Sequence, residues 1–489
     1  MAKKSLKQKA ASGMVWTALQ RYSSMVIGFI SGIILARLLT PYDYGCIGML
    51  SIFMVIADSF IDGGFGSALI QKKRPTQEDY STIFWWNLGM SAVMYVILYV
   101  CAPVISRFYG TPILCKVLRI QGLVLFIHAL NIIQRNQLKK NLNFKLLSIV
   151  TVATSIISLA ITIYLAYKGY GVWALVAQNL IVSAIPSLVF WFYVKWRPKL
   201  VFSLSSFKEL FSFGFYIFLI HLINNFSQKI QGLLIGRVYS PATMGYYSKA
   251  EGVEKLASHS ISGIMNQVTY PLYAEVQDNK VALSNMIKRT TMTLAYITFP
   301  LMFILLLCAK PIFVLLYSER WLQSVPYFQV LCIAGLAGCL QAANLMAISA
   351  IGKSKTLFIW TLVKRAIGIG AVLLGLFFWG MKGLLSGVVI NYWFSYFINI
   401  GLVSKHIGYK FWTQIRDLLP VAVVSLLAAL SSFGVGYLLS LNMYLDGLLK
   451  LLLYAVIYLG WSFIFRPEAY TYFLSIIPNK FKLNKRLNK

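Results

Sequence analysis

Arg37-Leu38-Leu39-Thr40-Pro41-Tyr42-Asp43-Tyr44-Gly45 is repeated 200 residues later as Arg237-Val238-Tyr239-Ser240-Pro241-Ala242-Thr243-Met244-Gly245. Both copies follow the pattern Arg-x-x-Ser/Thr-Pro-x-x-x-Gly, and each one ends an apolar segment and begins another. A duplicated half in a membrane chain is typical of proteins built from two pseudo-equivalent helical bundles around a shared cavity. The repeat therefore predicts the architecture of a transporter.

The composition excludes a soluble globular protein. Of the 489 residues, 58% are hydrophobic and only 12% are charged, whereas about a quarter are charged in a typical soluble domain. The net charge of +31 would suggest nucleic acid in a soluble protein, but here the charge lies in short loops, so membrane topology explains it and no nucleic-acid partner is predicted. The six cysteines form no metal-binding spacing, and we expect buried free thiols, no metal site and no resident cofactor.

Apolar stretches of about 20 residues, each long enough to span a bilayer, recur along the whole chain. They predict an all-α polytopic membrane protein with about fourteen transmembrane helices, at residues 12–37, 44–69, 81–105, 115–136, 146–167, 172–194, 211–236, 245–271, 290–309, 325–349, 357–379, 384–404, 418–440 and 447–465. The eighth segment carries several charges, but it lies 200 residues after the second. Without it, every later loop would change sides.

The repeat divides these spans into two six-helix lobes followed by a helix pair. The predicted boundaries are a basic N-terminus at 1–11, an N-lobe at 12–205, a C-lobe at 206–405, a helix pair at 406–466 and a basic tail at 467–489. The first span is expected to be retained rather than cleaved as a signal peptide. Tyr470 and Phe473 of the tail are expected to rest on the membrane surface.

The loops carry a strong charge asymmetry, which predicts that both termini are cytoplasmic. With that orientation, the inner segments hold most of the basic loop residues, including the clusters at Lys72, Lys139, Lys195, Lys280, Lys353, Lys405 and Lys480. No outer loop exceeds about 15 residues, which leaves no room for an extramembrane catalytic domain. We therefore expect that the protein is not an enzyme and has no catalytic residue.

Polar residues follow one face of the seventh span and one face of the first. In the seventh span His221, Asn224, Asn225, Gln228 and Lys229 recur at helical spacing. Subtracting 200 places His221 on Arg21 and Asn224 on Ser24 of the first span. Polar groups inside a membrane face a bundle interior or a water-filled cavity, so both faces are predicted to line a cavity that binds substrate.

The second and eighth spans carry acidic residues at matching positions. Asp58 and Asp62 share a face of the second span, and Glu251 lies 200 residues after Ser51 on that face, with Lys255 one turn further on. Two carboxylates this close repel when both are ionised, which favours a proton or a sodium ion between them. We therefore expect Asp58, Asp62 and Glu251 to couple transport to an ion and Lys255 to line the cavity. Internal pairing, of the acids with Arg21 and of Glu251 with Lys255, is the alternative.

Lys364 and Arg365 in the eleventh span are two further candidates for the cavity lining. The alternative for both is that their long side chains snorkel to the cytoplasmic interface.

The strongest local resemblance lies in the second span and its flanks. Asp62-Gly63-Gly64-Phe65-Gly66, Phe84-Trp85-x-Asn87 and the first repeat motif resemble the polysaccharide transporter family of the multidrug/oligosaccharidyl-lipid/polysaccharide (MOP) flippase superfamily. Leu234-Ile235-Gly236-Arg237 and Tyr270-Pro271-x-Tyr273 extend the likeness into the second half. The most similar members export repeat units of O-antigen, colanic acid or teichuronic acid.

This resemblance implies that the chain flips a polyprenyl-diphosphate-linked oligosaccharide across the bacterial cytoplasmic membrane by alternating access. The implied partners are that lipid-linked oligosaccharide, the bilayer and the polysaccharide polymerase or export machinery. Cationic cavity residues would hold the diphosphate, and Arg21, Lys229 and Lys255 lie on suitable faces. The alternatives are another cargo of the same superfamily, such as a peptidoglycan precursor or a cationic drug, and a membrane-embedded sugar polymerase or ligase.

Overall fold

The computed structural model describes residues 6–439 and 441–476, is 89% helical and contains no strand in the described part. The predicted all-α class is confirmed. In chain order the helices are α1 (Leu6–Leu38), α2 (Pro41–Asp62), α3 (Phe65–Gln71), α4 (Gln77–Phe108), α5 (Ile113–Gln121), α6 (Leu123–Lys140), α7 (Phe144–Tyr167), α8 (Val172–Tyr193), α9 (Leu204–Val238), α10 (Pro241–Glu275), α11 (Lys280–Leu307), α12 (Ala309–Tyr317), α13 (Ser324–Ala350), α14 (Ser354–Ile407), α15 (Phe411–Leu439), α16 (Met443–Phe465) and α17 (Glu468–Ile476). The first basic residues, Lys3 and Lys4, and those of the tail from Lys480 onward lie outside the described residues.

Twelve helical segments of the described chain are long and apolar enough to cross a membrane. One of them, within α14, contains two helices joined at Gly380, where φ is 59° and ψ is −138°. α10 is 35 residues long but is not among the twelve, because charged side chains lower its hydropathy. When the two halves of α14 are counted separately and α10 is added, the number of long helices in the described chain is fourteen, as predicted.

The chain folds as two compact units, Met1–Ser248 and Lys249–Lys489. The first unit holds α1 to α9 and the opening turns of α10, and the second unit holds the remainder. The lobe boundaries at residues 205 and 405 were predicted from the internal repeat, and they stay predictions.

The two repeat motifs meet in the first unit. Thr40 caps α2: its hydroxyl accepts the amide of Asp43 at 3.3 Å, and the Asp43 carboxylate accepts the amide of Thr40 at 2.9 Å. Ser240 caps α10 in the same way, accepting the amide of Thr243 at 3.1 Å. A Cβ atom on Gly45 would collide with the carbonyl oxygen of Pro241, and one on Gly245 with that of Pro41. The motif therefore encodes a helix start together with a backbone-to-backbone helix crossing.

The C-terminal end of the second span is bent by two glycines. Gly63 and Gly64 have φ values of 52° and 76°, which end α2 and set the direction of α3. A Cβ atom on Gly64 would collide with the carbonyl oxygen of Gly214, so α3 packs directly on the start of α9. Lys140 donates to the carbonyl oxygens of Leu69, at 2.9 Å, and of Lys72, which caps the end of α3.

Lys72 ties this loop to two helices. Its Nζ atom lies 3.0 Å from Asp79 of α4 and 2.9 Å from Glu209 of α9. Partial burial lowers the pKa of Lys72, but the hydrogen bonds to Glu209 and Asp79 outweigh that effect, so the pKa is raised overall. Lys72 is one of the basic loop residues that membrane topology explains, and it therefore also stabilises the bend between the second and third spans.

The tail helix corrects one expectation. Tyr470 and Phe473 do not simply rest on the membrane surface, because their rings lie 5.9 and 5.4 Å from that of Tyr296 in α11. Lys288 of α11 also binds Glu468 at 2.7 Å. Aromatic and ionic contacts therefore dock α17 on the second unit.

Candidate functional site

The first unit contains a cavity of about 370 Å³. Polar groups from five helices converge on it: Ser51 and Asp58 of α2, Gln121 of α5, His128 of α6, Asn179 and Ser183 of α8, and Lys229 of α9. The remaining wall is apolar, formed by Ile47, Met54, Val55, Val124, Leu125 and Val182. A concave, mostly apolar site with a few convergent polar groups is the usual form of a small-ligand pocket.

A chain of hydrogen bonds crosses this cavity wall. His128 Nδ1 lies 3.1 Å from Asp58 Oδ1, and His128 Nε2 lies 3.0 Å from Ser183 Oγ. Ser183 in turn donates to the carbonyl oxygen of Asn179 at 2.9 Å. The Asp58 side chain is 51% exposed and that of His128 is 40% exposed, so both remain accessible from the cavity. An acid and an imidazole in this arrangement can hold a shared proton.

His128 was not among the residues predicted from the sequence. The signal that was available is its position as an ionisable residue in the middle of an apolar span, which in membrane proteins marks a functional site or a buried pair. Its partners, Asp58 and Ser183, are 70 and 55 residues away, and only the packing of α2, α6 and α8 brings them together.

Of the predicted residues in the first unit, Asp58 and Lys229 line the cavity together. The others lie outside its lining. Arg21, His221 and Gln228 are exposed, and Asn224 is half-buried. Asn225 donates to Ser59 Oγ at 3.0 Å, and the buried Ser24 hydroxyl has no hydrogen-bond partner in the described structure. The polar stripe on α9 therefore divides between one cavity residue and several residues on other surfaces.

The two acids of the second span have different surroundings. Asp58 faces the cavity, whereas Asp62 accepts hydrogen bonds from the backbone amides of Gly64 and Gly66 at the start of α3. A carboxylate at a helix N-terminus stabilises that helix by satisfying amides that have no other partner. Asp62 is therefore also part of the bend that follows α2.

In the second unit, Lys255 and Glu251 form an ion pair at 2.7 Å, as the pairing alternative expected. Glu254 beside them is 6% exposed and lies against Gly335 of α13, where a Cβ atom would collide with its carboxylate. α10 therefore presents a charged cluster to its own unit rather than an apolar face. That cluster explains why hydropathy alone does not identify α10 as a span.

Lys364 is directed into the second unit. It is 8% exposed and donates to Asn399 Oδ1 at 2.8 Å. The snorkelling alternative is therefore wrong for Lys364, because a snorkelling lysine keeps its ammonium group in water. Arg365 is half-buried.

A second buried lysine was not anticipated. Lys249, at the start of the second unit, is 8% exposed, and its Nζ atom lies 4.2 Å from the ring centre of Tyr317 and 5.5 Å from that of Trp321. Aromatic faces attract a cation, and the attraction is stronger away from water. Lys249 therefore fastens α10 to α12 and the turn that follows it.

Residues 34–326 match the model of a family described as polysaccharide biosynthesis protein. The chain is 27% identical to the teichuronic acid biosynthesis protein TuaB of Bacillus subtilis, covering 73% of this chain and 74% of that protein. It is 24% identical to the lipopolysaccharide biosynthesis protein WzxC of Escherichia coli, covering 86% and 88%. It is also 24% identical to the succinoglycan biosynthesis transport protein ExoT of Rhizobium meliloti, covering 74% and 73%.

Two solved structures show the same fold. The lipid II flippase MurJ in an inward closed conformation aligns with a TM-score of 0.75 at 16% identity, covering 92% of this chain and 98% of that one. An inward-facing multidrug resistance MATE transporter of the MOP superfamily aligns with a TM-score of 0.62 at 15% identity, covering 84% and 98%. These alignments show a shared fold, and the family match over residues 34–326 confirms the polysaccharide family that the sequence motifs resemble.

Proposed function

We propose, because this chain belongs to the family of polysaccharide biosynthesis proteins, that it flips a polyprenyl-diphosphate-linked oligosaccharide repeat unit across the cytoplasmic membrane by alternating access. The observation that carries the proposal is the family match over residues 34–326 in a chain with a transporter fold. The named relatives serve teichuronic acid, lipopolysaccharide and succinoglycan biosynthesis. Repeat units of such polymers are the corresponding cargo here, for a capsule, an O-antigen or an exopolysaccharide.

The proposed roles of the cations follow from the chemistry of this cargo. A diphosphate brings negative charge into a poorly hydrated space, where only nearby cations and hydrogen-bond donors compensate for lost water. Arg21 and Lys229 supply such charge on the first unit, and Lys255 supplies it on the second. Polysaccharide polymerase or export machinery would consume the product. The proposal assigns no catalytic residue.

Reconstituted vesicles provide the direct test. The lipid-linked repeat unit is purified from the producing strain, and a membrane-impermeant sugar oxidant reports how much of it reaches the outer leaflet. We expect the oxidant to reach the whole pool with the protein present and only the outer-leaflet fraction without it.

The alternative cargoes are tested in the same vesicles. A peptidoglycan precursor and a lipophilic cation replace the repeat unit, since the MurJ and MATE folds are compatible with either. Faster movement of one of these than of the repeat unit would contradict the proposed cargo.

We further propose that this membrane is the bacterial inner membrane and that both termini face the cytoplasm, on the basis of the charge asymmetry of the loops. Lys353 and Lys382 are both exposed and flank the first half of α14. Single cysteines at these positions should react from opposite sides in intact cells, 382 from outside and 353 only after permeabilisation. The reverse pattern would remove α10 from the set of spans.

Ion coupling is a separate part of the proposal. Asp58 carries a proton or a sodium ion in the cavity, with Asp62 and Glu251 as further candidates, and His128 is positioned to share the charge. Asp58→Asn should abolish the response of flipping to an imposed pH or sodium gradient while leaving gradient-free exchange, because the amide cannot ionise.

Asp62→Asn is the matched comparison, because Asp62 binds backbone amides at the start of α3 rather than lining the cavity. We expect it to lower stability more than coupling. A wild-type gradient response in the Asp58→Asn, Asp62→Asn double variant would show that both acids are structural.

A further inference from the structure

We propose that the cavity of the first unit is a subsite for one sugar ring of the cargo, with Gln121 as its central acceptor. This inference rests on the proposed function and deepens it. Gln121 ends α5, lines the cavity and is 6% exposed. Its Oε1 atom has no hydrogen-bond partner in the described structure. A buried acceptor without a partner is costly to folding. This oxygen is also closed to solvent, so a half-turn of the amide, which exchanges it with Nε2, would present it to a ligand donor and recover that cost.

The other polar groups of the cavity offer both donors and acceptors. The second oxygen of Asp58 and the hydroxyl of Ser51 accept, while Lys229 donates, and the amide of Asn179 does both. Lys229 forms no ion pair with any residue of the described chain. Sugar hydroxyls donate and accept in the same way, and therefore match such a mixed set of partners.

The apolar wall matches the rest of a sugar ring. Met54, Val124, Leu125 and Val182 line the cavity beside the polar groups. A pyranose exposes C–H groups on its faces and hydroxyls at its edge, so one ring can use both surfaces together. The volume of about 370 Å³ lies near the lower end of the roughly 300–1,000 Å³ typical of ligand pockets, which suits one ring rather than a whole repeat unit.

The charges disfavour the other ligands that this membrane would supply. Inside the cavity a diphosphate would meet the carboxylate of Asp58, and Lys229 is the one lysine or arginine among the described lining residues. The diphosphate that Lys229 is proposed to hold would therefore lie at the edge of the cavity and not inside it. A divalent metal ion or a bulky organic cation would meet Lys229 and His128 and would find a single carboxylate among the described lining residues, whereas the proton or sodium ion proposed for Asp58 is small and carries one charge. A neutral or singly charged sugar avoids both conflicts.

A cysteine at position 182 makes occupancy measurable. Val182 lines the cavity and is 45% exposed, so Val182→Cys should react with N-ethylmaleimide in native membranes. The wild-type chain, which lacks this cysteine, gives the background rate of labelling. The probe is the water-soluble oligosaccharide released by mild acid from the lipid-linked repeat unit. We expect it to slow the reaction at position 182, whereas inorganic pyrophosphate does not.

Gln121→Leu tests the acceptor, and Gln178→Leu is its control. Leucine removes an amide oxygen that has no hydrogen-bond partner among the described residues, so the fold should tolerate the change. Gln178 lies outside the cavity lining and donates to Ser31 at 3.5 Å. In the Val182→Cys background, Gln121→Leu should weaken protection by the oligosaccharide roughly tenfold, and Gln178→Leu should leave it unchanged.

Three results would overturn the subsite: protection by pyrophosphate alone, protection by neither probe, or equal effects of the two leucine variants. Flipping by the wild-type protein in vesicles separates this outcome from the proposed function. Should flipping persist without protection, the cavity holds only water and the subsite alone is wrong. Should flipping of the repeat unit be absent, the proposed function itself fails.

Discussion

Gly45→Ala should destabilise the protein by about 3 kcal/mol or more, a large effect for one methyl group. The added Cβ atom would collide with the carbonyl oxygen of Pro241, which belongs to the backbone of the other repeat motif and cannot rotate away. The two helix starts would have to separate, and their capping turns would move with them. The temperature midpoint of unfolding, measured in detergent, is the readout, and Gly245→Ala should behave alike.

Gly28→Ala is the matched control for this prediction. Gly28 lies inside α1, and apart from its chain neighbours and its own helix backbone no described atom lies within 4 Å of the position its Cβ would occupy. Alanine is favoured over glycine inside a helix by about 1 kcal/mol, so this variant should melt at or slightly above the wild-type temperature. Equal unfolding midpoints for Gly45→Ala and Gly28→Ala would show that the two helix starts can separate at little cost in stability.

Removing positive charge at Arg21 and Lys229 should lower flipping by roughly 10- to 150-fold, because charged hydrogen bonds of this kind contribute about 1.5–3 kcal/mol. The fold should tolerate both changes: Arg21 is exposed, and Lys229 borders a cavity. Arg21→Ala and Lys229→Gln should therefore reach normal levels in the membrane while surface polysaccharide falls. The vesicle assay gives the rate for each variant.

Two further variants make that result specific. Lys229→Arg keeps the charge and should retain most of the activity. Arg119→Ala removes a cation that lies 4.1 Å from the ring centre of Tyr99, away from the predicted faces, and should leave flipping unchanged. Full activity with both Arg21 and Lys229 neutralised would show that the diphosphate is held elsewhere.

Local sequence was sufficient to predict the helices, their approximate number and the repeat. Each span is apolar over enough residues to cross a bilayer, and this property belongs to a local stretch of chain. The break inside α14 lies at Gly380, between two spans that were already separated by composition. α10 was identified through its 200-residue offset, because its charges conceal it from hydropathy.

The tertiary structure alone decided how the polar residues are grouped. Asp58 and Asp62 share a helix face, yet one lines a cavity with His128 and the other binds amides at the start of α3. Lys364 is buried against Asn399 although its position allowed snorkelling. Gln121, the acceptor without a partner, carries no pattern that the sequence reveals. Helical spacing reports which residues share a face, but what that face meets depends on the docking of distant helices.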